Sequence, residues 1–163
     1  MFEAETLDLA QSALDACRAR GWHIATAESC TGGLVAAALT AIAGSSDVFE
    51  RGFVTYSNAA KSELLGVSPD TIATYGAVSA ETTTEMAQGV LAHAPVDLAI
   101  SVTGIAGPGG ATPTKPVGLV LFGLARRGGE TRTESHVFPG DRNAIRQAAL
   151  KVALRLLEAE VTG

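Results

Sequence analysis

The sequence predicts an α/β fold: a single domain over residues 1–163, built as a three-layer α/β/α sandwich around a mixed, mostly parallel sheet. Three observations carry this prediction. Segments with apolar residues at helical spacing alternate with short apolar runs of strand length, the pattern of helices covering a sheet. The run Ala27-Glu28-Ser29-Cys30-Thr31-Gly32-Gly33 links a strand-like segment to an apolar helical one, as a strand-to-helix turn of an α/β unit does. Near the C-terminus, two strand-like segments joined at Gly128-Gly129 read as an antiparallel hairpin, which makes the sheet mixed.

Each element has its own justification. Leu7, Ala10, Leu14 and Cys17 recur at helical spacing within residues 4–19, and Gly21 ends that helix. A strand ends near Ala27, and a helix follows to about Ala41 with Ala43-Gly44-Ser45-Ser46 as its exit. Gly52 to Tyr56 reads as the second strand, and Ser57 or Asn58 caps a short helix through Leu65. Ser68-Pro69 opens another helix, with proline at its first position, and Ser79 caps one reaching about His93. Asp97 to Val102 is a buried strand that delivers Thr103-Gly104 to its carboxyl end. The Gly/Pro-rich loop from Gly104 to Pro116 is of a length usually tied to function. Val117–Arg126 and Thr131–Phe138 form the hairpin, and Asp141 caps a last helix with Ile145, Ala149, Val152 and Leu156 on one face.

Composition excludes several function classes. A chain of 163 residues with 47% hydrophobic content buries a core without staples, and its two cysteines, Cys17 and Cys30, read as reduced thiols without metal-ligand spacing. The longest apolar run falls short of the ~20 residues of a membrane span, and no basic segment precedes it. The expectation is a cytoplasmic, soluble protein without a membrane partner. A net charge of −5 without a basic stripe argues against a nucleic-acid partner, since phosphate neutralisation supplies most of that affinity. Any anionic ligand must therefore be held by a local pocket. His23, His93 and His136 match no metal spacing, so no metal site is expected.

Chemistry concentrates where three strands end. If the strands ending near Ala27, Tyr56 and Val102 are parallel neighbours, Ser29, Tyr56 with Asn58, and Thr103 with Gly104 share one rim. Lys61, about one turn into its helix, can reach back to that rim, and a desolvated lysine can take a serine proton. Ser29 with Lys61 is thus a candidate dyad, although neither GxSxG nor SxxK is present. Other readings stay open: Ser29 as a cap or phosphate ligand, Lys61 as a solvated helix lysine, Tyr56 as a rim aromatic. Arg142, beside Asp141, reads as a phosphate fork or a surface cation.

Six motifs in order resemble the CinA C-terminal domain family, over about residues 5–157. They are Ala27-Glu28-Ser29-Cys30-Thr31-Gly32-Gly33, Tyr56-Ser57-Asn58-Ala59-Ala60-Lys61, Gly76-Ala77-Val78-Ser79, Thr103-Gly104-Ile105-Ala106-Gly107-Pro108, Lys115-Pro116-Val117-Gly118 and Gly140-Asp141-Arg142. Ala111 departs from a glycine common in the family. Enzymatically active members are nicotinamide mononucleotide deamidases, so the resemblance implies hydrolysis of that carboxamide to nicotinic acid mononucleotide and ammonia, with no metal or organic cofactor. It implies Ser29 as nucleophile, Lys61 as base and later acid, and Tyr56 as a hydrogen-bonding helper. N–H groups near Gly32 or Thr103-Gly104 would form the oxyanion hole. Arg142 would bind phosphate, while Thr31, Gly32, Gly33, Asn58, Thr103 and Gly104 would line the substrate. The alternatives are a catalytically silent nucleotide-binding or regulatory module, and an interaction domain. A homodimer through the apolar faces of the first and last helices is also expected.

Overall fold

The structure, a computed structural model, describes residues 1–163. Its order is α1 (Ala4–Arg20), β1 (Ile24–Glu28), α2 (Leu34–Thr40), β2 (Phe49–Val54), α3 (Asn58–Leu65), α4 (Pro69–Tyr75), α5 (Ala80–His93), β3 (Leu98–Gly104), β4 (Leu119–Arg126), β5 (Thr131–Val137) and α6 (Arg142–Thr162). The five strands form one sheet in the order β2-β1-β3-β4-β5. β1 runs parallel to β2 and β3, while β3–β4 and β4–β5 pair antiparallel. The sheet is therefore split evenly between the two pairings, where the sequence suggested a mostly parallel one. The second half of the chain turns back through a loop and a hairpin, without crossover helices.

Strand order explains where a site can form. The chain leaves β1 toward β2 and leaves β3 the opposite way toward β4, so the carboxyl ends of β1 and β3 border a topological switch point. Alternate side chains of these strands enter two separate apolar clusters. Ile24, Leu98, Ile100, Val102 and Phe122 pack with α1, α2 and α6. Ala25, Ala27, Ala99 and Ala125 pack with α5 and the end of α3. The second face is lined by small residues, so helices approach it closely. A Cβ at Gly123 would lie 2.7 Å from the Thr83 carbonyl oxygen of α5, and one at Gly89 would lie 2.1 Å from that of Leu65 in α3. Gly89 thus seats α3, the helix that carries Lys61.

Several boundaries differ from expectation. β2 begins at Phe49 and ends at Val54, which leaves Tyr56 beyond the strand. On this edge strand the intervening Glu50, Arg51 and Gly52 are exposed and mask the strand pattern. In α6 the buried stripe runs Ile145, Ala149, Leu150, Ala153, Leu154, Leu157 and Val161, with Val152 and Leu156 only half-buried. That stripe and the buried face of α1 (Ala10, Ala13, Leu14, Cys17) lie inside one core cluster, so neither is free as the expected dimer interface. No helix is long and apolar enough to cross a membrane.

Two predictions follow from this packing. Gly89→Ala gains about 1 kcal/mol of helix propensity but forces a contact shift costing about 1–3 kcal/mol, so urea unfolding should show net destabilisation; a gain in stability would contradict the close α3–α5 crossing. Burial raises the thiols of both Cys17 and Cys30 to about 11. Ellman's reagent at pH 8 should therefore label neither until denaturant is added, and rapid labelling of the native protein would refute this environment.

Candidate active site

The end of β1 is a strand-to-helix turn whose polar groups are nearly all paired. Glu28, 1% exposed, accepts hydrogen bonds from the backbone N–H groups of Gly33 (3.1 Å) and Val35 (3.1 Å) on one oxygen and Ala36 (2.9 Å) on the other. The chain's own carboxylate thus occupies the start of α2, where the donors would otherwise favour an external anion. Gly32 N–H donates to the Ser29 carbonyl at 3.0 Å. Positive φ at Gly32 (+59°) and Gly33 (+103°) lets the backbone turn this sharply. From α6, Arg146 donates through Nε to the Cys30 carbonyl (3.0 Å) and through Nη2 to that of Thr31 (3.1 Å). The N–H groups of Cys30 and Thr31 donate to no other residue. Thr31 is fully buried and its hydroxyl has no partner.

Ser29 and Lys61 meet at this turn. Ser57 caps α3 by accepting from Ala60 N–H at 3.0 Å, which sets Lys61 one turn in. Lys61 is 1% exposed; its Nζ lies 3.1 Å from Ser29 Oγ and donates to the Thr55 carbonyl at 2.8 Å. Thr55 is itself tied to β1 by its N–H on the Glu28 carbonyl, 2.8 Å. Burial lowers the Lys61 pKa from the ordinary lysine value, outweighing an opposing influence of the neighbouring Cys30 thiol.

The other expected residues divide into groups. Tyr56 is exposed, and its hydroxyl accepts from Arg142 Nη2 at 2.9 Å, with no hydrogen bond to Ser29 or Lys61. Arg142 also donates to the Gly107 carbonyl at 2.8 Å, and Asp141 caps α6 through Ala144 N–H at 2.9 Å. Thr103, 1% exposed, donates to the Ala77 carbonyl at 3.0 Å, so it fastens the Gly76–Ser79 segment to β3. A Cβ at Gly104 would lie 2.7 Å from the Leu119 carbonyl oxygen, which explains that glycine by strand packing. Gly32 and Gly33 have committed their N–H groups within the turn, so neither offers one to a ligand. Asn58 is exposed at the start of α3, beside a cleft of about 460 Å³ shared with Glu63, Pro69 and Ile72; Ser29 and Lys61 do not line it. The dyad sits instead at the strand-end rim. No three His, Cys, Asp or Glu side chains are grouped to hold a metal ion.

Sequence reasoning missed two residues, Glu28 and Arg146. The signal for Glu28 was a charged residue ending an otherwise uncharged strand, directly before the candidate nucleophile. Arg146 lies one turn beyond Arg142 on α6, but nothing local links it to a turn 116 residues earlier in the sequence.

Known proteins resemble this chain along most of its length. The chain is 58% identical to the nicotinamide-nucleotide amidohydrolase PncC of Enterobacter agglomerans over 144 residues, covering 86% of this chain and 88% of that protein. It is 50% identical to the nicotinamide-nucleotide amidohydrolase PncC of Escherichia coli over 157 residues, 96% of this chain and 95% of that one. Among solved structures, the competence/damage inducible protein CihA from Agrobacterium tumefaciens superposes with a TM-score of 0.95 at 43% identity, covering 100% of this chain and 99% of that one. The competence damage-inducible protein A (ComA) from Klebsiella pneumoniae superposes with a TM-score of 0.93 at 41% identity, covering 96% and 97%. The model of the CinA C-terminal domain matches residues 6–161, and with these relatives it shows that the chain belongs to the CinA C-terminal domain family.

Proposed function

We propose that this protein hydrolyses the carboxamide of nicotinamide mononucleotide to nicotinic acid mononucleotide and ammonia, with Ser29 as nucleophile and Lys61 as its base. The observation that carries this reading is the buried amine of Lys61, 3.1 Å from Ser29 Oγ. The activity named for its 50–58% identical relatives supports the substrate. The reading includes the three-layer arrangement of helices about the sheet. It also includes a homodimer, whose interface must lie outside the buried stripes of α1 and α6.

The steps balance without an added reagent. Neutral Lys61 accepts the Ser29 hydroxyl proton as Oγ bonds to the carboxamide carbon, and the carbonyl electron pair moves onto oxygen. When the tetrahedral adduct collapses, the C–N bond breaks and the Lys61 ammonium protonates the departing nitrogen, giving ammonia and an ester on Ser29. Water then attacks the ester carbon while Lys61 takes its proton. The second collapse breaks the C–Oγ bond, and the proton returns from Lys61 to Ser29. The Thr55 carbonyl serves throughout as a fixed acceptor that aims Nζ. Arg142 binds the phosphate, and Tyr56 contributes by bracing that guanidinium from the rim. Asn58 orients the nucleotide from α3, while Thr103 shapes the site by fastening the Gly76–Ser79 segment to β3.

Ammonia release should fall by at least ~10³ in kcat for Ser29→Ala and for Lys61→Ala, with the double variant little worse, because the two act as a unit. A Lys61→Ala variant that raises KM alone would make Lys61 a binding cation and overturn the dyad. The base must be unprotonated, so kcat/KM should rise with pH through the lowered Lys61 pKa, with a midpoint below the ordinary lysine value. An activity that still climbs with an ordinary lysine midpoint would contradict the desolvated amine. For phosphate, Arg142→Ala should weaken nicotinamide mononucleotide far more than nicotinamide riboside, and Arg142→Lys should be intermediate; equal losses on both substrates would show that Arg142 only supports the fold.

A further inference from the structure

Arg146 has no part in the chemistry described so far, yet both of its hydrogen bonds go to the turn that carries the nucleophile. Its Nε and Nη2 hold the carbonyl oxygens of Cys30 and Thr31, one and two residues past Ser29. A trans peptide is planar, with its N–H directed opposite its C=O. Drawing the Cys30 carbonyl toward α6 therefore turns the Thr31 N–H away from α6. The Ser29 carbonyl is likewise fixed, by Gly32 N–H, which sets the direction of the Cys30 N–H. On the far side of the turn Glu28 takes the N–H groups of Gly33, Val35 and Ala36. Every backbone N–H from Gly32 to Ala36 that could compete is thus committed to an acceptor. Those of Cys30 and Thr31 alone remain open next to the nucleophile.

We propose that Arg146 is a positioning residue that aims the free N–H groups of Cys30 and Thr31 at the oxyanion of the tetrahedral adduct on Ser29. The inference rests on the reading of Ser29 as nucleophile. It narrows the expected donors near Gly32 to Cys30 and Thr31, because the N–H of Gly32 itself is bonded to the Ser29 carbonyl, and it sets aside those near Thr103-Gly104. Donors of this kind act where charge develops, so their loss falls on the transition state and leaves ground-state binding intact.

The test uses the full chain with Arg146→Met, which keeps the aliphatic stem, and Arg146→Lys, whose ammonium can serve one carbonyl. Kinetics are measured on nicotinamide mononucleotide and nicotinamide riboside. Affinities are measured for nicotinic acid mononucleotide and for the analogue bearing an aldehyde in place of the carboxamide, which adds a serine hydroxyl to form a charged tetrahedral adduct. Arg146→Met should lower kcat by ~10²-fold on both substrates, with KM nearly unchanged, and should lose aldehyde affinity in the same proportion while keeping product affinity. Arg146→Lys should recover part of the loss. In the unaltered protein, the aldehyde should shift the amide resonances of Cys30 and Thr31 downfield.

Unchanged kcat, parallel loss of aldehyde and product affinity, or a loss confined to the phosphorylated substrate would each overturn the positioning role. So would unmoved Cys30 and Thr31 resonances in the unaltered protein, a readout that stands even if Arg146→Met does not fold. Ser29→Ala should abolish the aldehyde adduct; its retention would instead sink the nucleophile reading beneath the inference.

Discussion

A lysine amine removed from water is several kcal/mol less comfortable as an ammonium than in solvent, and this structure places one at 1% exposure without a carboxylate partner. Its only hydrogen-bond partners are a serine hydroxyl and a backbone carbonyl. That constraint organises the rest of the site. The amine must be delivered by a helix seated tightly against its neighbour α5, which the contact of Gly89 with the Leu65 carbonyl provides. Its acceptor must not drift, and Thr55 is tied to the end of β1 by the Glu28 carbonyl. A buried amine whose pKa is lowered by desolvation is costly for folding and well suited to taking a proton from a neighbouring hydroxyl.

The charged residues around the dyad divide the labour by chemistry. Glu28 faces backbone donors and Arg146 faces backbone acceptors, so the turn between β1 and α2 is gripped from both sides by groups of matching polarity. Glu28 occupies the N–H groups at the start of α2, while Arg142 holds the Gly107 carbonyl and the Tyr56 hydroxyl at the rim. Arg142 and Arg146 are one turn apart on α6 and reach different targets, the rim and the nucleophile turn. One helix capped by Asp141 therefore orders both ends of the site.

Much of this was legible in the sequence, for identifiable reasons. Caps and turn glycines gave clear helix limits, as at Gly21, Ser57, Ser79 and Asp141. Lys61 was placed correctly because a capped helix start fixes its distance from the strand ends. β2 was set too late because an edge strand exposes Glu50 and Arg51, which erases the alternation that marks a strand. The α6 stripe drifted because an alanine-rich helix offers several faces of similar hydropathy, and packing against α1 chooses among them. Tyr56 was drawn toward the dyad by its motif, whereas the structure gives its hydroxyl to Arg142. Glu28 and Arg146 act through backbone atoms, and a backbone partner leaves no trace in residue identity.

The central claim is that Ser29 forms a covalent ester during turnover. Rapid quenching of the protein with nicotinamide mononucleotide, followed by peptide mass spectrometry, tests it most directly. The account predicts that the peptide carrying Ser29 gains the mass of the substrate less ammonia, with the modification on the serine oxygen and absent when water has completed hydrolysis. An adduct on Cys30, or ammonia released in full with no covalent species at any quench time, would contradict it.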